Sequence, residues 1–599
     1  MSGNENKKKG GFFRTLFRGI NILRLFIINI IFFLFFFSFL GILGSVQTDK
    51  QKPAKVTDDS VLYINPCGLI IETKDDIFSG TVPGLNNISV VLLSDITKAI
   101  KNAAFDRRIS SLYLDFSGLE GLSSGHLNEL SQVLEEFKAS GKKIYAYSVQ
   151  YTIPSYFAAS YADKIGIDPL GDISFAGFAS RPIFYKGMEE KFGIKWNVLQ
   201  AGDFKGLAET YSRDSLSQNV RSNLKTMFDR LWNKYTEDIA KNRNISVPKI
   251  QDFALNNNEY IKKYQGNIAE AALNEGLVTD IASEEVFCEK CGLSKTAANF
   301  VDYKGYNANF SESFMGSNVA VINLKGAITS APLKSSGASG EILDLFDIAL
   351  EDPSVKAIVL RIDSGGGEVF ASEEIRRAVI RAKDSVPVVV SMGTVAASGA
   401  YWISSAADYI FASPYTITGS IGVLGTMPTF QNALKKHLGI TGDLVYSGQK
   451  PAYSVLEDPS EEDKEIRRLE ILNIYKTFIE TVAQGRDLPF ETVAEMAGGK
   501  VYSGEQALKL KLIDSLGTLN DAASYAARLA DIDGNFSIKE IKKPLTLKEE
   551  FIKSLFSNAD FSVLSQLNFA DLKATSEFLL LNSKKGIYIY TPERLIWQK

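Results

Sequence analysis

The stretch "VKAIVLRIDSGGGEVFASEEIRRAVIRA" (residues 355–382) runs from an apolar segment through a triple-glycine turn into a segment of helical period. Directly after it, "VPVVVSMGTVAASGAYWISSAADYIFASPYTITGSIGVLG" (residues 386–425) gives a second apolar run and a small-residue segment ending in Ala-Ala-Asp. Short β-type runs alternating with helix-length segments predict an α/β fold assembled from βαβ-type units.

The same grammar stands upstream, in "ISSLYLDFSGLEGLSSGHLNELSQVLEEF" (109–137) and "KKIYAYSVQYTIPSYFAASYADKIGIDPLGDISFAGF" (142–178). Tyr161-Ala162-Asp163 lies opposite Ala406-Ala407-Asp408, and 408 − 163 gives an offset of 245. One register held across several motifs implies a tandem duplication. It places a first domain at about 59–300, a second at about 317–535 and a C-terminal extension at 536–599, after a polar linker near 47–58. The halves differ in chemistry. At that offset Ser398 lies opposite Ile153, and the glycines of "DSGGGE" lie opposite "SGLEGL", so only the second half keeps a candidate nucleophile.

A chain of 599 residues exceeds one core, which agrees with two domains. With 66 Lys and Arg against 70 Asp and Glu, the charge gives no general reason to expect nucleic acid as a partner. Three cysteines cannot make a disulfide framework. Cys288 and Cys291 form a CxxC in "FCEKCGLS", but no second pair completes a zinc site, so they read as incidental thiols or one local disulfide.

The segment "LFIINIIFFLFFFSFLGILGSV" (25–46) carries no charge. At about 1.5 Å per residue a helix of that length reaches roughly 33 Å, enough to cross a bilayer core. Lys7, Lys8, Lys9, Arg14, Arg18 and Arg24 precede it, which by the positive-inside rule keeps residues 1–24 cytoplasmic and places the rest outside. The run is long for a signal peptide and no A-x-A site follows, so an uncleaved anchor is expected.

Gly365 to Gly367 form a turn whose N–H groups no Cβ shields. Three readings stand there: a phosphate cradle (without the P-loop Lys-Ser/Thr), an oxyanion hole, or a plain structural turn. Ser398, in "GTVAASGAYW" (393–402), opens a helix-like segment either as an N-cap or as a nucleophile. A nucleophile needs a base. His126 in "SSGHLNEL" and His437 in "LKKHLGI" are the chain's two histidines, and both read as surface positions outside any motif. The other known activator is a lysine held neutral by burial.

Together "GTVAASGAYWIS", "TITGSIGVLG", "RIDSGGGEVFASEEIRRA" and "VYSGEQALKLKLIDSLG" resemble the signal peptide peptidase A family of peptidase family S49, over roughly residues 25–535. The duplicated form is similar to its long, two-domain type. The resemblance implies tandem Clp protease/crotonase-like domains and a membrane-bound serine protease with a Ser-Lys dyad. Carried over by motif, the nucleophile is Ser398 and the lysine is Lys205, in "VLQAGDFKGLAETYSRDSLS". Ser420 in "TGSIG" matches the serine that orients the lysine, and the N–H groups of Gly366 and Gly399, with Gly367 close by, match the oxyanion donors. The chain has Gly365 where the family usually shows proline and Asp363 where it shows asparagine. Lys450, in "LVYSGQKPAYS", stands 245 residues after Lys205 and is the alternative base.

The resemblance further implies no metal or other cofactor and apolar peptide substrates, chiefly remnants of cleaved signal peptides. It implies a homotetramer in the bacterial inner membrane, a single pass with the catalytic domains on the periplasmic side, and contact with the bilayer through residues 25–46. Two other classes stay open: an inactive anchored scaffold that binds peptides, and a crotonase-type acyl-CoA enzyme, which needs no serine.

Overall fold

The computed structural model describes residues 53–73, 89–174, 177–294, 299–310, 317–331, 336–448, 454–532 and 535–544, with positions 24, 29, 32, 33, 587–590 and 596–597. Of the expected anchor, Asn29, Phe32 and Phe33 are helical and the remainder lies outside the described residues. Among the described residues, no helix is long and apolar enough to cross a membrane. The chain divides into one unit of Met1–Lys52 with Pro544–Phe569 and another of Pro53–Lys543 with Ala570–Lys599. The sheets below belong to the second.

Two sheets repeat one plan. The first contains β1 (Ser60–Ile64), β2 (Ile109–Asp115), β3 (Lys143–Tyr151), β4 (Lys164–Ile173), β5 (Asp280–Ile281) and β6 (Phe300–Asp302). Their order is β5-β4-β3-β2-β1-β6, all parallel. The second contains β7 (Asn318–Lys325), β8 (Val355–Ser364), β9 (Val388–Ala397), β10 (Ile417–Gly419), β11 (Val501–Ser503) and β12 (Ser537–Glu540). Its main path is β11-β10-β9-β8-β7-β12, parallel except for the β10–β11 edge, and two more strands branch from β9: Tyr409–Ala412 pairs parallel with β9, and Ser515–Leu516 pairs parallel with Tyr409–Ala412. Its far edge is β12, which pairs with β7 from Ser537 to Glu540. The near-continuous Val/Ile/Leu runs of β8 and β9 suit strands covered on both faces.

The duplication reaches individual hydrogen bonds. Asp163 donates its N–H to the Ile144 carbonyl at 2.8 Å while its carboxylate accepts the Ile144 N–H at 2.9 Å. Asp408 makes the same pair with Val388, at 2.9 and 2.8 Å. Likewise the hydroxyls of Tyr156 and Tyr401 donate to the carbonyls of Leu277 and Leu512, both at 2.7 Å. Those tyrosines lie on the matching short helices α1 (Ile153–Ala159) and α3 (Gly399–Ser404), between which, in sequence, falls α2 (Gly206–Ser212).

Each half has its own core, and the two cores interlock. Tyr415, Ile417 and Val501 of the second half pack into the cluster built from β1 to β4. A Cβ on Gly125 would stand 2.6 Å from Thr394, so only glycine admits that crossing of the halves. A buried charged cluster lies at the same seam. Arg361, on β8, donates to Glu72 through Nε at 2.9 Å and also through Nη2, and its Nη1 bonds Ser391 Oγ on β9 at 2.7 Å. Glu129 lies 3.5 Å from the same guanidinium and accepts the Leu519 N–H at 2.9 Å. Burial alone would raise the Glu72 carboxyl, but Arg361, His126 and Lys325 outweigh it and hold it well below the usual range.

Candidate active site

Ser398 follows the last residue of β9. The sequence there is small on both sides, and Ala396, Ala397, Gly399 and Ala400 are all buried, so the chain can turn tightly without a side-chain clash. Ser398 itself takes φ 58° and ψ −119°, a conformation that costs a non-glycine residue about 1–3 kcal/mol. Bonds at both ends hold it there. Its N–H donates to the Gly419 carbonyl at 2.8 Å, and its carbonyl accepts the Trp402 N–H at 2.9 Å. A helix N-cap would have an extended backbone and a side chain on the first turn, whereas here no side-chain cap bond forms.

Lys205 comes from the other half. The strand Lys195–Ala201 leaves the first half and pairs antiparallel with Val423–Thr429, from Ala201 against Val423 to Lys195 against Thr429. The loop after it delivers Lys205 at the start of α2. Nζ of Lys205 lies 2.7 Å from Ser398 Oγ, 2.9 Å from Ser420 Oγ and 3.0 Å from the Ser420 carbonyl. Lys205 is 1% exposed and Ser398 0%. Ser420 also sits at positive φ, 54°, fixed by its N–H bond to the Lys500 carbonyl at 2.7 Å.

Apart from Gly202, which stands in the segment quoted for Lys205, sequence reasoning missed the residues that make this delivery possible. Phe204 donates its N–H to the Gly498 carbonyl at 2.8 Å. Gly202 has φ +112°, and a Cβ there would fall 2.5 Å from Gly498. Gly499 has φ +86°, and its Cβ would fall 2.8 Å from the Lys205 nitrogen. The signal was present as the paired glycines of "AGGK" (497–500), which lie outside every motif considered. Gly499→Ala should displace Lys205 and lower kcat/KM by roughly 100-fold, the effect of an ångström-scale misplacement of a reacting group. An unchanged far-UV circular dichroism spectrum would separate this from unfolding, and an unchanged rate would refute the role.

The three glycine positions stand close to this pair in the fold. Gly366 begins the strand Gly366–Glu368 at φ +100°, and its N–H donates to Ser364 Oγ at 3.1 Å. An oxyanion would therefore share that donor with Ser364. A Cβ on Gly367 would lie 1.9 Å from the Ile328 carbonyl, which excludes any side chain. This strand packs on α3, whose first residue is Gly399. Asp363, just before the turn, accepts the Val395 N–H at 2.9 Å and so ties the turn to β9. Burial, with Glu72 nearby, pushes its carboxyl up from the ordinary range.

His126 corrects the sequence reading. It is buried, not a surface residue, because its turn packs against β9, where Thr394 bonds Ser123 Oγ; Nε2 lies 3.4 Å from Glu72 Oε1, and Nδ1 lies 2.9 Å from Ser123 Oγ. His437 is exposed near the end of the helix Gln431–Leu438, as expected. Cys288 and Cys291 are free thiols rather than a disulfide, and burial pushes Cys291 up to about 11. Lys450 lies outside the described residues. Among the described residues, no group of three or more His, Cys, Asp or Glu side chains is set to hold a metal.

The model of peptidase family S49 matches residues 136–295 and 380–533, one match on each sheet's half. The chain is 33% identical to Protease 4 of Salmonella typhi over 87% of its own length and 86% of that protein. It is 30% identical to Protease 4 of Haemophilus influenzae, over 93% of this chain and 91% of the other. A chloroplastic serine protease SPPA of Arabidopsis thaliana is 26% identical over 78% of the chain. A ClpP1 variant from Listeria monocytogenes superposes on 34% of the chain with a TM-score of 0.24, too slight a likeness to bear on the fold. The chain belongs to peptidase family S49. It is a serine protease, similar over most of its length to the two bacterial proteins named Protease 4.

Proposed function

We propose that the chain is a membrane-anchored endopeptidase that hydrolyses apolar peptides, including remnants of cleaved signal peptides, with Ser398 as nucleophile and Lys205 as general base. The observation that carries this is the 2.7 Å contact between Lys205 Nζ and Ser398 Oγ, buried and built from both halves. Removal from water disfavours a charged amine, so burial favours the basic form the reaction requires. Ser420 aims the amine through two bonds.

The neutral amine takes the Ser398 proton as Oγ attacks the peptide carbonyl. N–H groups of Gly399 and of the Gly366–Gly367 turn receive the oxyanion. The ammonium then protonates the leaving amine, and the freed lysine activates the water that releases the acyl group. Residues 25–46 anchor the chain in the bacterial inner membrane, with residues 1–24 cytoplasmic and both α/β domains on the periplasmic side. The proposed assembly is a homotetramer.

A fluorophosphonate probe followed by peptide mass mapping should place one adduct on Ser398. An unlabelled Ser398 in protein that still cleaves peptides overturns the assignment. The pH profile gives a second test. Activity requires loss of a proton from Lys205, so kcat/KM should rise with pH along a one-proton limb. A flat profile from roughly pH 6 to 10 would count against a lysine base.

A further inference from the structure

The segment Gly498–Val501 belongs to the second half, yet the first half holds it at both ends. At one end the Gly498 carbonyl accepts the Phe204 N–H at 2.8 Å. At the other the contact is a side chain. Asn223 donates through Nδ2 to the Val501 carbonyl at 3.2 Å, and its Oδ1 accepts the Val501 N–H at 2.9 Å. Between these ends the segment bonds the residues around the dyad: the Lys500 carbonyl accepts the Ser420 N–H at 2.7 Å, and the Gly499 N–H donates to the Ile421 carbonyl at 2.8 Å.

Asn223 lies on the helix Gln218–Arg243, which follows α2 in the chain. Val501 opens β11, which pairs antiparallel with β10 and sets Val501 level with Gly419. Along an antiparallel strand, successive residues turn their N–H and C=O groups toward and then away from the neighbour. Lys500 faces Ser420, so Val501 presents both polar groups outward from the sheet's edge. A carboxamide carries a donor and an acceptor side by side, as a peptide group does, and can satisfy both.

We propose that Asn223 is a positioning residue for peptide hydrolysis: by fixing Val501 it holds Lys500 and Gly499, and through them Ser420 against Lys205. This rests on the Ser-Lys reading and adds to it what keeps the pair aligned across the halves. The half that carries Lys205 thereby also grips the segment that holds the amine's second partner. Ser420 needs that hold, because its φ of 54° is a costly backbone conformation that persists only where its neighbours impose it. Gly419, level with Val501, in turn accepts the Ser398 N–H at 2.8 Å. The helix itself does not depend on Asn223 for its place. Val220, Leu224, Met227 and Leu231 are buried along it, and Arg230 bonds Glu505 of the second half through Nε at 2.5 Å.

The test is Asn223→Leu in the full-length protein, which keeps the size of the side chain and removes both bonds. The rate of fluorophosphonate labelling at Ser398 should fall roughly tenfold, the scale of two hydrogen bonds expressed at the reacting pair, while every molecule still becomes labelled. For a short apolar peptide kcat should fall by the same factor with KM within about twofold. Asn223→Asp keeps the shape but sets a carboxylate against the Val501 carbonyl, and should slow labelling at least about threefold. Arg230→Gln breaks another contact of the same helix with the second half. It should lower the melting temperature and leave the labelling rate within about twofold of wild type. An unchanged rate in either Asn223 variant overturns the proposal. Equal slowing in Arg230→Gln also overturns it, as does a normal rate with only part of the population labelled, because both report a loosened fold instead of a misaligned pair. Wild-type Ser398 that takes no label defeats the Ser-Lys reading itself, whereas labelled wild type beside unaffected variants defeats the role of Asn223 alone.

Discussion

Ser398→Ala is expected to lower kcat/KM for peptide hydrolysis by at least about 10,000-fold, and Lys205→Ala by a similar factor. In the proposed mechanism the two side chains act as one unit. Without Oγ the amine has nothing to activate, and without the amine Oγ keeps its proton at neutral pH. Their losses should therefore not add: the double variant should be no slower than about the worse single one. Neither substitution should unfold the chain. Ser398 is held by main-chain bonds to Gly419 and Trp402, which alanine retains. Lys205→Ala removes a buried amine, leaving Phe204 bound to the Gly498 carbonyl. Single-turnover assays on a quenched apolar peptide, with thermal melts beside them, give the answer. Lys450→Ala provides the control, because Lys205 already occupies the position at Ser398 and Ser420. Its rate should stay within about twofold of wild type. Full activity in Lys205→Ala with loss in Lys450→Ala would transfer the base to Lys450.

What could be read beforehand was whatever repeats or stays local. The 245-residue offset exposed two α/β halves because the same strands, helices and Asp163/Asp408 bonds recur in register. Ser398 was visible as the one serine in a run of small residues, and its loss at Ile153 was visible by alignment of the halves. The Lys205–Ser398 contact spans 193 residues and comes from a strand that crosses between the halves, which no periodicity encodes. Only the resemblance pointed to it. Close approach was equally hidden. Gly202 and Gly499 matter through what a Cβ would strike, and that partner lies in the opposite half. His126 reads as solvated because its own neighbours are polar; β9, against which its turn packs, belongs to the other half. The C-terminal extension had no functional reading, and its strand Ile587–Tyr590 pairs with Gly366–Glu368 and Val423–Thr429, far from it in sequence.

Arg361→Met should cost about 3–5 kcal/mol of stability, the penalty for stranding a buried partner charge. Arg361 is 2% exposed and holds Glu72 from the first half together with Ser391 and the Met392 carbonyl on β9. Without it Glu72 keeps His126 at 3.4 Å and Lys325 at 3.3 Å, too little to offset its lost hydration. The melting temperature should fall by roughly 10 °C. Adding Glu72→Gln to Arg361→Met should recover most of that loss, because a neutral amide is far cheaper to bury than a carboxylate. The sign with pH follows. Glu72 is held below its ordinary value of 4.5, so its contribution is complete above that value and is lost as pH falls through and below it. Wild type should therefore lose stability faster in acid than Glu72→Gln does. Equal acid slopes, or an Arg361→Met protein as stable as wild type, would show that the seam between the halves is held by apolar packing alone.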